Sequence, residues 1–332
     1  MTNFIVTSSD PGKMGGSKAK EDIVDFFEQN NYSSFRVNPY HASKLAKLWY
    51  THTYLMRFFK NKEIENVVIQ YPIPSPYMIN NFVNGVKKQD GAKLIFWIHD
   101  IQSLQRDQGQ KKKRWEIDLF NMADVLVVHN EKMQTWLEEN GVHAPMIVLG
   151  IFDYDNPVPI QENVPYEKTI CFAGALFKST FLSKLKMKHQ LYTFGPDMPK
   201  VHSSNIIYSG QFTPEELPSH LTQNFGLIWD GPEIQTCAGT FGHYQLFNNP
   251  HKASLYISTG IPVIIWSKAA LADFVLENKI GVVVDSLEEL DDLLDNLSEE
   301  DYLVLKNNVV KLAEKLRSGY FTKNVIKQLA EI

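Results

Sequence analysis

Hydrophobic positions along this chain come in short runs rich in β-branched and aromatic residues, and each run is followed by a helix-length stretch whose apolar positions recur at three and four. A strand buried on both faces, then an amphipathic crossover helix, is the pattern of a parallel sheet covered by helices. In the first half the predicted strands are NFIVTS (3–8), SFRVNP (34–39), NVVIQYP (66–72), KLIFWIHD (93–100) and DVLVVHN (124–130). Five βα units in succession predict a doubly wound domain over 1–150.

Residues 151–167 hold three prolines and no usable periodicity, which reads as a linker between domains. The alternation restarts with KTICFAG (168–174), KHQLYTFG (188–195), SNIIYSG (204–210), FGLIWDG (225–231), IPVIIW (261–266) and GVVVDS (281–286). A second doubly wound domain is expected over 168–318. The closing segment is helical with a break at Ser318-Gly319, where Gly319 suits a helix C-cap, and the final helix 319–332 is expected to cross back onto the first domain. The fold class is therefore α/β, with two Rossmann-like domains facing across a cleft.

At 332 residues the chain is long enough for two such domains. A net charge of -5 gives no reason to expect nucleic acid or an anionic membrane as the main partner, and Lys111, Lys112, Lys113 and Arg114 read as a solvated helix start. Cys171 and Cys237 alone make neither a disulfide framework nor a thiolate metal site, which suits the reducing cytoplasm. No secretory signal and no apolar run of membrane-spanning length is expected.

In open α/β sheets ligands lie beyond the carboxyl ends of the strands, so chemistry is sought in those loops. After the first strand, Gly15, Gly16 and Ser17 open a helix with donor N–H groups, either as a substrate contact or as a plain turn. The spacing is neither that of a P-loop nor of a dinucleotide fingerprint. His99 and Asp100 end the fourth strand. Asp100 is a candidate general base or a helix cap, and His99 a candidate for hydrogen-bonding substrate hydroxyls. In FAGALFKSTFL, Gly174 is followed by Lys178 and Ser179 near an expected helix start, an arrangement suited to a phosphate or diphosphate, although Lys178 also fits as a surface lysine. Gly195 and Gly210 make turns after the next strands, with Tyr208 or Phe212 placed to border a nucleobase, while Thr213 and Glu216 have capping-box spacing. Asp230 ends its strand as a loop cap.

Asp153 and Asp155 have an Asp-x-Asp form but fall in the expected linker, so they are rejected as a metal site, and the histidines lack ligand spacing. No metal is expected. In NNPHKASLYISTGIPVII (248–265), Asn248 and Asn249 suit a cap and Pro250 a first turn. Lys252 and Ser254 then sit near a helix N-terminus. Lysine there opposes the helix dipole unless an anion offsets it.

FAGALFKSTFL, FGLIWDG, NNPHKASLYISTGIPVIIWSKAALADFV, GVVVDSLEEL and the closing RSGYFTKNVIKQLAEI resemble the bacterial GT-B glycosyltransferases that extend glycans on serine-rich repeat adhesins, with a sister set of β-1,6-galactofuranosyltransferases. The resemblance implies a cytoplasmic hexosyltransferase that moves glucose from UDP-glucose to GlcNAc on a glycoprotein, uses no metal, and forms a homodimer or homotetramer. It implies that Lys252 meets the diphosphate, that Lys178 stands at a basic donor contact, and that Tyr208 approaches the uridine. Gly174, Ser179, Gly195, Gly210, Asn249 and Ser254 complete the donor side, and Gly16 and Ser17 lie by the acceptor or diphosphate. The alternatives are galactosyl or galactofuranosyl transfer to a surface polysaccharide, and an inert subunit of the same fold. Many retaining GT-B enzymes carry two glutamates seven residues apart. Here Glu233 has no such second glutamate after it, so the resemblance supplies neither a catalytic Glu nor a stereochemical outcome.

Overall fold

The computed structural model describes residues 2–9, 15–106, 109–162, 164–200 and 202–332. They form two compact units. Unit 1 is built from Lys20–Leu149 with the first strand and Thr322–Ile332, and unit 2 from Gly150–Phe321 with the start of the first helix, up to Ala19.

Unit 1 is one parallel sheet of β1 (Thr2–Ser8), β2 (Tyr32–Val37), β3 (Ile64–Tyr71), β4 (Lys93–Ile98), β5 (Val125–Val128) and β6 (Met146–Val148), in the order β2-β1-β3-β4-β5-β6. Unit 2 repeats the plan with β7 (Ile170–Ala173), β8 (Leu191–Phe194), β9 (Ile206–Tyr208), β10 (Phe225–Ile228), β11 (Val263–Trp266) and β12 (Gly281–Val284), ordered β12-β11-β10-β7-β8-β9. The middles of the central strands are apolar and shielded on both faces: Val67, Val68 and Ile69 in unit 1, and Val263, Ile264 and Ile265 in unit 2, are fully buried.

Each sheet reverses its winding once. The chain moves outward from β1 to β2 and then returns to the far side with β3; in unit 2 the corresponding reversal lies between β7 and β10. Adjacent loops diverge there and leave a crevice at the carboxyl ends, so those two places are where each unit can seat a ligand. The strand β6 was not among those expected. Met146–Val148 stands between Pro145 and Gly150 as the end of a segment without periodicity, and pairing with β5 makes it a strand.

Residues 151–167, expected as a bare linker, are built into unit 2. Asn156 Nδ2 donates to Ser258 Oγ and Thr259 Oγ1, both at 3.1 Å, and Gln161 N donates to Thr259 O at 3.1 Å. Asp153 is buried and accepts from Phe321 N at 3.2 Å, so one member of the rejected Asp-x-Asp pair has a structural partner. The helix Glu299–Arg317 ends with Ser318 at the C-cap and Gly319 at a positive φ, 71°.

Candidate functional site

On the β7 side of unit 2 the strand ends are lined by glycine backbones. Gly174 follows β7, Gly195 follows β8 and Gly210 follows β9. Gly174 N donates to Phe194 O at 3.0 Å, and Gly195 N donates to Gly210 O at 2.9 Å. A Cβ on Gly195 would stand 1.8 Å from Gly174 O, and its φ of 139° is one that side chains avoid. Three strand ends are thereby drawn into one narrow backbone layer. Tyr208, at the end of β9, leaves 47 % of its surface exposed.

On the β10 side, Trp229, Asp230 and Gly231 follow the strand. Lys252, in the first turn of the helix His251–Thr259, reaches back to them: its Nζ lies 3.1 Å from Asp230 Oδ1, donates to Trp229 O at 3.3 Å, and stands 4.7 Å from the centre of the Phe172 ring. The other Asp230 oxygen accepts from Gln245 Nε2 at 3.0 Å. Lys252 and Asp230 retain only 15 % and 25 % of their side-chain exposure. The lysine that opposes the helix dipole therefore has its anion within the chain. Asp230, expected to be only a loop cap, is its counter-ion. Nearby, burial raises the Cys237 thiol far above its ordinary range, which keeps it a neutral, inert neighbour.

Lys178 presents its ammonium 4.4 Å from the Phe241 ring centre. No α-helix follows β7, contrary to expectation. Lys178 and Ser179 close a three-residue 3-10 turn, Leu176–Lys178, and open another, Thr180–Ser183. Such turns carry little aligned dipole, so only the lysine's own charge is available there. Ser179 is buried.

Asn249 and Ser254 are engaged elsewhere. Pro250, not an asparagine, holds the N-cap, and Asn249 Nδ2 donates to Gly150 O at 2.7 Å. Ser254 Oγ donates to Phe152 O at 2.7 Å. Both side chains fasten the start of unit 2 to this helix, which corrects their assignment as capping and ligand-facing groups. Thr213 and Glu216 form the expected reciprocal cap, with Thr213 N donating to Glu216 Oε2 at 3.2 Å and Glu216 N to Thr213 Oγ1 at 3.3 Å.

In unit 1 the crevice between β1 and β3 is bridged by Lys20, which sequence reasoning passed over. Its Nζ donates to Ser8 Oγ at 2.8 Å and to Pro72 O at 3.0 Å. Gln70, buried on β3, donates through Nε2 to Lys20 O at 3.0 Å and presents Oε1 at 2.6 Å to His99 Nε2, which fixes that nitrogen as the protonated one. Asp100 is half-buried and accepts from Gln105 Nε2 at 3.5 Å. It is not the cap of the next helix. Ile101 occupies that position, and the buried Glu116 carboxylate takes Gln102 N, Ser103 N and the Tyr71 hydroxyl at 2.8, 2.8 and 2.7 Å. Gly15, Gly16 and Ser17 do open a helix, Gly15–Glu28, and a Cβ on Gly16 would meet no atom within 4 Å. Steric need does not explain that glycine.

Two parallel six-stranded Rossmann-like sheets are the architecture of the GT-B glycosyltransferases. Two family models match, "Glucosyltransferase 3-like, N-terminal domain" over residues 2–151 and "Glucosyltransferase 3-like, C-terminal domain" over 170–329. The chain belongs to the Glucosyltransferase 3-like family. It is 30 % identical over 330 residues to the Escherichia coli (strain K12) β-1,6-galactofuranosyltransferase WbbI, covering 95 % of this chain and 94 % of that one. Glucosyltransferase 3 of Streptococcus gordonii is 30 % identical over 240 residues, 71 % of this chain and 70 % of that protein. Among solved structures, an α-glucosyltransferase in complex with UDP superposes with a TM-score of 0.63 at 10 % identity, over 100 % of both chains, a likeness of fold.

Proposed function

We propose that the chain transfers a hexose from a UDP-sugar, glucose on the leading reading, to GlcNAc carried by a serine-rich repeat glycoprotein. The observation that carries the donor half is Lys252, a half-buried cation at the reversal point of unit 2 beside the N-terminus of a nine-residue helix. A leaving diphosphate gathers negative charge, and a preorganised cation with helix amides meets it without rearranging solvent. Lys178 supplies a second positive charge on the β7 side, the layered glycines 174, 195 and 210 let a flat base approach backbone, and Tyr208 offers it an exposed ring. With lysines in this role the reaction runs without a divalent ion. Asp100 and His99 are the candidate acceptor-side pair, with His99 already oriented by Gln70.

A second reading is galactofuranosyl transfer to a polysaccharide precursor, favoured by the end-to-end match with WbbI. A panel of UDP-sugars offered with GlcNAc-peptide, with and without EDTA, and read by product mass separates the readings. A hexosylated peptide insensitive to EDTA is expected. No product with any UDP-sugar, together with no UDP binding by calorimetry, would remove both.

A further inference from the structure

The loops after β7 and β10 flank the crevice of unit 2, and they touch. Residues 231–242 double back onto the end of β10: a Cβ on Gly231 would stand 2.1 Å from Ala238 O, and one on Gly242 would stand 2.7 Å from Asp230 O. Only glycine allows approaches of that kind. The loop is pinned as well, since Trp229 Nε1 donates to Glu233 O at 2.9 Å and Leu287 N donates to Ile234 O at 2.7 Å. It ends in the short helix Gly239–Tyr244, which sets the half-buried Phe241 ring 4.4 Å from Lys178 Nζ. The exposed Phe177 ring lies 5.6 Å from the same nitrogen.

Lys178 differs from other lysines on the same connection. Lys184 and Lys188 are each held 2.7 Å from a carboxylate, Glu233 and Asp295. Among the described residues the Lys178 ammonium makes no hydrogen bond or ion pair, and its partners are the two rings. A ring face attracts an ammonium group through its quadrupole without neutralising it, so the charge is located and its protons stay available to an anion. A free surface lysine loses rotamer freedom when it meets a ligand, whereas one resting on a ring has lost part of it in advance. Space-filling does not demand an aromatic here: a leucine would supply apolar bulk but no face for the cation. We infer that Phe241 is a positioning residue for donor binding: its ring, carried on the glycine-folded loop after β10, holds the Lys178 ammonium beside the crevice, ready for a phosphate group. The inference rests on the proposed UDP-sugar reading and adds to it a residue from the opposite side of the reversal point.

The test is calorimetric titration of the full chain with UDP, with a urea midpoint recorded for every variant to show that the fold is intact. Phe241→Leu keeps apolar bulk and removes the ring face, and should weaken UDP binding about fivefold, whereas Phe241→Tyr keeps the face and should stay within about twofold of the unaltered chain. In a Lys178→Ala background the Phe241→Leu loss should vanish, because no cation is left to position. A loss that Phe241→Tyr shares, or that persists in full without Lys178, would make the ring a structural prop and overturn the inference. Unchanged or tighter binding in Phe241→Leu would overturn it too, tighter binding meaning that the ring withholds the lysine from the ligand. If the unaltered chain binds no UDP, the donor reading falls and this inference falls with it; if it binds UDP and the variants behave otherwise than expected, the inference falls alone.

Discussion

Replacing Lys252 and Asp230 singly and together tests the centre of the proposed donor site. Lys252→Ala removes a cation 3.1 Å from Asp230 Oδ1 and leaves that carboxylate with Gln245 Nε2 as its side-chain donor. Exposed ion pairs contribute ~0–1 kcal/mol, whereas breaking a wholly buried pair costs ~3–5 kcal/mol. Exposures of 15 and 25 % place this pair between those limits, so a stability loss of about 1.5 kcal/mol is expected. If the ammonium meets a diphosphate, losing one charge-assisted contact of ~1.5–3 kcal/mol should weaken UDP binding about 10- to 100-fold. Asp230→Asn should act in the opposite direction. It removes a negative charge beside the anion and frees Lys252, a gain of about 1 kcal/mol at the solvent-screened end of Coulomb's law, or about fivefold tighter binding. In the Lys252→Ala background that gain should shrink, because the competition it relieves is gone. Calorimetry with UDP at fixed ionic strength, run beside urea unfolding, reads both effects. Unchanged UDP affinity in both single variants, with the fold intact, would refute the assignment; weaker binding in Asp230→Asn would make Asp230 a ligand in its own right.

Gly195→Ala should destabilise by about 3–5 kcal/mol, since the new Cβ would overlap Gly174 O at a φ unsuited to side chains, whereas Gly16→Ala, with open space around it, should be neutral or slightly stabilising; urea midpoints compare the two. Two imidazoles weaken the fold in acid: buried His129, which burial pushes down to about 4, and His251, which burial and the Lys18 charge push down to about 3. Between pH 6.5 and 4 the unfolded chain then holds more protons than the folded one, and His129 alone should lower stability by about 3 kcal/mol as pH drops through that window and have no effect above it. His129→Asn should flatten that part of the urea-derived stability profile, and an identical slope in the variant would count against the assignment.

Among the described residues eleven of the twelve strands were legible as short runs rich in apolar and β-branched residues, and β6 was not. Partnerships between distant residues were less visible. Asp230 and Lys252 each look ordinary in sequence, one a loop acid and the other a lysine on the wrong end of a helix. Only the crossover from β10 brings them together. Glu116 sits in a charged helical stretch, QKKKRWEID, where an acid reads as solvent-facing, yet its carboxylate gathers three donors from two other segments. The helix Lys44–Tyr50 is opaque in another way: its apolar residues recur at helical spacing, yet it buries none of them.

The fastening of residues 150–161 to the helix that carries Lys252 bears on how the molecule can be dissected. A fragment begun at residue 170, where the C-terminal family match starts, would strip away the acceptors of Asn249 and Ser254 and the amide that Ser258 and Thr259 share. The severed end would expose those polar groups within a helix whose residues from Ala253 to Thr259 are all buried. The stretch before β7 is thus less a hinge pin than a keystone of unit 2, and an excised unit 2 should start no later than Gly150.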